Sequence, residues 1–251
     1  MKFILIPDSF KGTLSSVQIC RIMEARIRRQ FPDSAVVKVP VADGGEGTVD
    51  AFLAAAGGKK RFVTVKNPYF EDVKAAYALI EDGKTAVIEM AACAGLPLVE
   101  DRKDPRLTTT YGVGQLILAA AGKGVKKIIV GLGGSSTNDG GCGAAAAVGI
   151  KFYDRDGREF IPTGGTTVDI DRIDLSGRNS LLEQVEIVTM CDIDNPMYGP
   201  AGASFIFGPQ KGADEAMVLQ LDEGIRNLSR AIAQATGTDI SQVPGTGAAG
   251  A

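Results

Sequence analysis

Short apolar runs alternate along this chain with glycine-rich loops and helical stretches, and that alternation restricts the fold more than any single motif. Phe3-Ile4-Leu5-Ile6 reads as a short buried strand. Ser15 or Ser16 then caps a helix in which Ile19, Met23 and Ile27 recur at i+4 spacing. Val36, Val37 and Val39 form a second strand, Asp43-Gly44-Gly45-Glu46-Gly47 a loop, and Thr48 opens a helix that stops at Gly57-Gly58. The middle of the chain reads differently. Strands are expected over 61–66, 73–80 and 85–90, the last two joined by a hairpin turn at 81–84, so antiparallel pairing and a second architecture begin near Asn67-Pro68. From Gly112 the alternation returns: a helix over 115–121, a strand over 127–130, a glycine-rich segment over 131–143 and a helix over 144–148. A strand over 185–190 and an amphipathic helix over 213–235 follow.

Glycine supplies 32 of the 251 residues, roughly twice the usual 7%, which demands positions that use its conformational freedom. Histidine is absent, so neither a Ser-His-Asp nor a Cys-His system can be built, and no His-ligated zinc site. Acid–base work falls to Asp, Glu, Lys, Tyr or Cys. Cys20, Cys93, Cys142 and Cys191 are too widely spaced for a CxxC motif and read as reduced thiols, with Cys93 and Cys142 as packing residues. A net charge of −3 with scattered Lys and Arg suggests no nucleic-acid surface. No apolar run approaches the roughly 18 residues of a membrane span, and the N-terminal run is too short for a signal peptide. A soluble cytoplasmic protein is expected.

In open α/β sheets, ligands bind outside the carboxyl ends of the strands. Here those ends carry Asp8, Ser9 and Lys11 after the first strand, and Asp43 and Glu46 after the second. Ser135 to Asp139 follow the 127–130 strand, and Asp192, Asp194 and Asn195 follow the 185–190 strand. The segment Gly131-Leu132-Gly133-Gly134-Ser135-Ser136-Thr137-Asn138-Asp139-Gly140-Gly141 feeds a helix and offers N–H groups to an anion. It is neither a dinucleotide fingerprint nor a P-loop, and a plain turn competes evenly with anion binding. Asp43-Gly44-Gly45-Glu46-Gly47 sets two acids among glycines, for Mg²⁺ or hydroxyl contacts, or simply for a capped helix start. Lys11 and Lys211, each in a glycine-containing loop, are the cationic candidates for phosphate charge. Together these features favour phosphoryl transfer, which needs positioning, Mg²⁺ and charge neutralisation rather than histidine. Gly133-Gly134-Ser135-Ser136 also resembles the serine loop of amidases that use a Ser-Ser-Lys system, although no lysine is placed by sequence to serve the pair.

Residues 7–15, the Asp43–Thr48 run, 131–141, Asp192-Ile193-Asp194-Asn195-Pro196, Phe207-Gly208-Pro209-Gln210-Lys211-Gly212-Ala213, 108–114 and 244–250 together resemble the bacterial type I glycerate kinases, from end to end of the chain. The resemblance implies ATP- and Mg²⁺-dependent phosphorylation of D-glycerate, with 2-phosphoglycerate as the favoured product. It implies two α/β domains, one Rossmann-like and discontinuous and the other inserted with a mixed sheet. Residues 1–66 would belong to the first, and 67–251, with the glycine-rich loop, to the second. Asp43, Asp8, Asp192 and Lys11 would do catalysis, the three aspartates being Mg²⁺ candidates and Asp43 the favoured base. Ser9, Gly44, Gly45, Glu46, Gly133, Gly134, Ser135, Ser136, Asn138, Asp139, Asn195 and Lys211 would hold substrate or phosphate. Glycerate and ATP are the expected partners, and a homodimer is left open. Ser136 departs from an alanine common in the family. Family members run on past the residues matched here, so a C-terminal truncation is expected. Apolar surface should then be exposed beside the first two strands, and a non-catalytic binder becomes the alternative function.

Overall fold

The computed structural model describes residues 1–10 and 13–251; Lys11 lies outside the described residues. Strands β1 (Lys2–Leu5) and β2 (Ala35–Lys38) pair in parallel, joined through helix α1 (Ser16–Gln30). Ser15 is the cap of α1: its hydroxyl accepts from Gln18 N, while Gln18 Oε1 accepts from Ser15 N at 2.8 Å, closing a capping box. Ser16, the other candidate, donates from Oγ to Pro7 O (2.6 Å) and accepts from Val41 N (3.1 Å). One hydroxyl thereby ties the loop after β1 to the loop after β2. Ile4 and Ile6 are exposed, so the first strand is not the buried strand its apolar run suggests; a two-stranded sheet leaves one face uncovered, and Val37 and Val39 are exposed beside them.

Helix α2 (Thr48–Ala56) leaves that sheet and packs Val49, Phe52 and Leu53 on Ala78, Ile80 and Val87 of a second one. This mixed sheet has the order β10-β6-β5-β4-β3, from β3 (Lys59–Lys66), β4 (Asp72–Ile80), β5 (Thr85–Glu89), β6 (Lys127–Gly131) and β10 (Glu186–Met190). The β3–β4–β5 meander is antiparallel, whereas β5–β6 and β6–β10 are parallel. Strand β3, expected to close the first unit, pairs with β4 along its whole length, from Lys59↔Leu79 to Lys66↔Asp72. The chain thus passes from one sheet to the other through the Asp43 loop, ahead of residue 66. The hairpin at 81–84 is a tight 3₁₀ turn with Glu81, Asp82 and Gly83 all at positive φ.

Short α3 (Ala91–Ala94) follows β5, and α4 (Tyr111–Ala121) begins four residues earlier than its apolar pattern suggested, because Gly112 and Gly114 pack against backbone. A Cβ on Gly112 would stand 1.9 Å from Lys66 O, so only glycine permits that approach. Leu116 of α4 is fully buried against β4, β5 and β6, a burial that stabilises by about 1.5–3 kcal/mol. Helix α5 (Cys142–Ala147) follows the glycine-rich segment. The three-stranded sheet of β7 (Lys151–Tyr153), β8 (Glu159–Phe160) and β9 (Arg172–Asp174) escapes a pattern reading because its strands span two or three residues each. Helices α6 (Ala203–Phe207) and α7 (Glu215–Thr236) complete the order. Asp214 caps α7 by accepting from Met217 N at 2.8 Å, and Ile225, Leu228 and Ala231 form a second core with Cys142, Phe152 and Ile170. No helix among the described residues is long and apolar enough to cross a membrane.

Candidate active site

The carboxyl ends of β2, β6 and β10 meet at one cavity of about 150 Å³, whose lining includes Asp43, Gly133, Gly134, Ser135, Asp192 and Lys211. Glycine makes the convergence sterically feasible. Gly44, at φ +90°, lies against the start of the β6 loop; a Cβ on Gly131 would stand 2.2 Å from Gly44 O, and Gly133 N donates to that same oxygen at 3.1 Å. Asp43 sits at the head of this contact, exposed, with Oδ1 accepting from Gly45 N at 3.0 Å. Asp192 stands two residues past the end of β10 and is also exposed.

Lys211 is the buried charge of the site, only 1% exposed. Its Nζ donates to Ser135 Oγ (3.3 Å), Ala249 O (3.0 Å) and Thr137 O. Burial brings its pKa down to about 7, and the field of the Asp139 carboxylate only partly opposes that. The strap at 248–249 lines the cavity as well, and Ser135 donates to Ala249 O at 2.6 Å. Ala249 holds φ at +59°, an uncommon conformation for a residue with a Cβ.

The glycine-rich loop uses most of its N–H groups internally. Gly133 N goes to Gly44 O, Ser136 N to Ala94 O and Thr137 N to Ser135 Oγ. Those of Gly134 and Ser135 have no protein partner among the described residues, and both residues line the cavity. Two N–H groups beside a buried ammonium suit an anionic oxygen.

Other expected site residues lie elsewhere. Ser136 is buried and donates to Ala94 O at 2.9 Å. Asn138 is buried with Nδ2 on Ser204 Oγ at 3.0 Å, and its Oδ1 has no partner among the described residues. Asp139 is buried too, accepting from Thr110 N (2.8 Å), Thr110 Oγ1 (2.9 Å), Gly143 N (3.1 Å) and Gly141 N (3.3 Å). Burial pushes its carboxyl upward against those donors. Its place is that of an internal staple joining the starts of α4 and α5. Asp8 is exposed and accepts from Ser9 N, and Asn195 donates from Nδ2 to Ala201 O at 2.7 Å. Asp8, Ser9, Glu46 and Asn195 do not line the cavity, and Gly44 and Gly45 are buried beneath it.

Sequence reasoning placed 244–250 only within the family resemblance, with no role for Ala248 and Ala249, and it missed Glu89, whose Oε2 accepts from Val49 N at 3.1 Å. Glu89 ends β5, so the strand-end rule that found Asp43 and Asp192 applies to it equally. The structure also supplies the lysine that an amidase reading lacked. The hydrogen bonds run the wrong way for it, since Ser135 gives its proton to Ala249 O and Lys211 donates to Ser135 Oγ. No group of three or more His, Cys, Asp or Glu side chains that could hold a metal occurs among the described residues. Two carboxylates at one cavity nevertheless fit Mg²⁺, which takes one or two protein carboxylates and completes its shell with water and phosphate.

A model described as the glycerate kinase family matches residues 3–251. The chain belongs to that family. It is 47% identical over 251 residues to the glycerate 2-kinase of Escherichia coli (strain K12), covering 100% of this chain and 66% of the relative. Against the glycerate kinase of Bacillus cereus (strain ATCC 10987 / NRS 248) the identity is 45%, again with 100% and 66% covered. A crystal structure assigned as glycerate kinase 2 from Salmonella typhimurium LT2 superposes with a TM-score of 0.88 at 41% identity, covering 100% of this chain and 67% of that one. The chain therefore spans about two thirds of the length of these family members, and its mixed α/β fold is that of the matched part of the Salmonella structure.

Proposed function

We propose that this glycerate kinase family chain carries the machinery for ATP-dependent phosphorylation of D-glycerate at its 2-hydroxyl, in the cytoplasm. The carrying observation is the meeting of Asp43, Asp192, Lys211 and two unpartnered N–H groups at one cavity. Family membership supports the phosphoryl donor and acceptor, and the similarity to a protein named glycerate 2-kinase supports the 2-position. In this reading the glycerate hydroxyl oxygen attacks the γ-phosphorus of ATP, and its proton passes to the Asp43 carboxylate. The bond between the γ-phosphorus and the β,γ-bridging oxygen breaks, and ADP leaves with that electron pair. The Gly134 and Ser135 N–H groups hold an anionic oxygen of substrate or phosphate, and Lys211, buried in the cavity lining, supplies positive charge. Asp192 is the residue to hold Mg²⁺, which when bound neutralises charge on the transferring group.

Asp43→Asn tests the reading, because the amide keeps the acceptor for Gly45 N but cannot take a proton. Turnover in the full-length protein should fall by orders of magnitude with the circular dichroism spectrum unchanged. Near-parent turnover would remove Asp43 from the mechanism.

A further inference from the structure

We propose that Glu89 is a positioning residue that fixes the Asp43 loop by capping α2 from the neighbouring sheet. The loop between Asp43 and α2 has no cap of its own. Gly47 precedes the helix at φ +89°, a conformation that excludes the Ser, Thr or Asp usually found there, and no side chain at that position accepts from the first turn. Thr48 N reaches Gly45 O at 3.3 Å, and the N–H of buried Val49 still needs an acceptor. Glu89 provides one from the end of β5, its Oε2 accepting from Val49 N at 3.1 Å, although burial pushes its carboxyl upward. A negative charge at the start of a helix is further favoured by the helix dipole.

The other end of the loop is held by different contacts. Gly44 O accepts from Gly133 N, and Asp43 Oδ1 accepts from Gly45 N. Glu89 lies in register opposite Gly131, the residue against which Gly44 packs. The five residues 43–47 are therefore clamped at one end by the β6 glycines and at the other by Glu89. Glu89 does not line the cavity, so its effect on chemistry runs through Asp43. That catalytic consequence rests on the phosphoryl-transfer reading above; the clamp itself does not.

Glu89→Ala and Glu89→Gln in the full-length protein test it. The alanine variant leaves the Val49 N–H without its acceptor, whereas glutamine retains a carbonyl oxygen. Amide hydrogen exchange followed by mass spectrometry should show faster exchange confined to residues 43–50 in Glu89→Ala, largely restored in Glu89→Gln. Displacing Asp43 by about an ångström should lower kcat on the order of 10–100-fold, with a smaller change in the KM for ATP. Combined with Asp43→Asn, Glu89→Ala should add little further loss, because both act through one carboxylate. Unchanged exchange over 43–50, or a loss of kcat that multiplies in full with that of Asp43→Asn, would overturn the assignment. If no variant or parent transfers phosphate, the kinase reading fails, and hydrogen exchange alone still decides the clamp.

Discussion

Replacing Lys211 by methionine removes a charge that the fold holds out of water. The ammonium is buried, bonded to Ser135 Oγ, Thr137 O and Ala249 O, and its pKa falls from 10.5 to about 7. In the unfolded chain the side chain keeps its proton until about pH 10.4. Below about 7 it is charged in both states, and the penalty of burying the charge is fully present. Between the two values the unfolded state holds the extra proton, so stability rises with pH, the folding constant growing up to about tenfold per unit. Methionine fills a similar volume and does not titrate. Moving from about pH 7.5 to about pH 9 should therefore stabilise the parent by roughly 2 kcal/mol more than Lys211→Met, read from urea melts. An anion held by the charged form should likewise bind the parent more weakly above pH 7, by about tenfold per unit, and titration calorimetry with inorganic phosphate should find no such slope in the variant. Parallel stability curves for the two proteins would mean that Lys211 titrates alike folded and unfolded, and that burial does not lower its pKa.

Three further outcomes follow from the same geometry. Gly131→Ala places a Cβ 2.2 Å from Gly44 O, backbone against backbone, and should destabilise by about 1–3 kcal/mol or more in urea melts. Asp139→Ala strips the acceptor from Thr110 N and Gly143 N. At about 1–3 kcal/mol for each buried N–H left unpaired, a clear fall in melting temperature is expected by calorimetry. Cys93 is buried with its thiol pushed up to about 12, and Cys142 is buried and pushed well above its usual value. Iodoacetamide on the native protein should therefore label exposed Cys191 first, as read by peptide mass spectrometry.

Much of this arrangement was legible in the sequence where a local rule governs it. The capping box at Ser15, the apolar periodicity of α7 and the β4–β5 turn each follow from neighbouring residues. The strand-end rule brought Asp43, Asp192 and the Gly133–Ser135 loop to one place, and they share a cavity. It also drew in Asp139 and Asn138, because composition cannot tell a carboxylate facing a cavity from one stapling two helix starts. The capping of α2 by Glu89 and the contact of Lys211 with Ala249 join residues 40 and 38 positions apart. No local pattern carries such pairs. Which sheet β3 joins was not legible either, because nothing in its sequence marks its partner; its pairing with β4 decides that.

On the proposed function, the cavity between Asp43, Asp192 and Lys211 transfers phosphate to glycerate. Phosphorus NMR of the full-length protein incubated with ATP, Mg²⁺ and D-glycerate tests it most directly. A new phosphomonoester resonance is expected, with the proton coupling of a phosphate on a secondary carbon, growing as the γ-phosphate signal of ATP declines and absent with Asp43→Asn. A parent protein that binds both substrates yet yields no phosphoglycerate signal would contradict it.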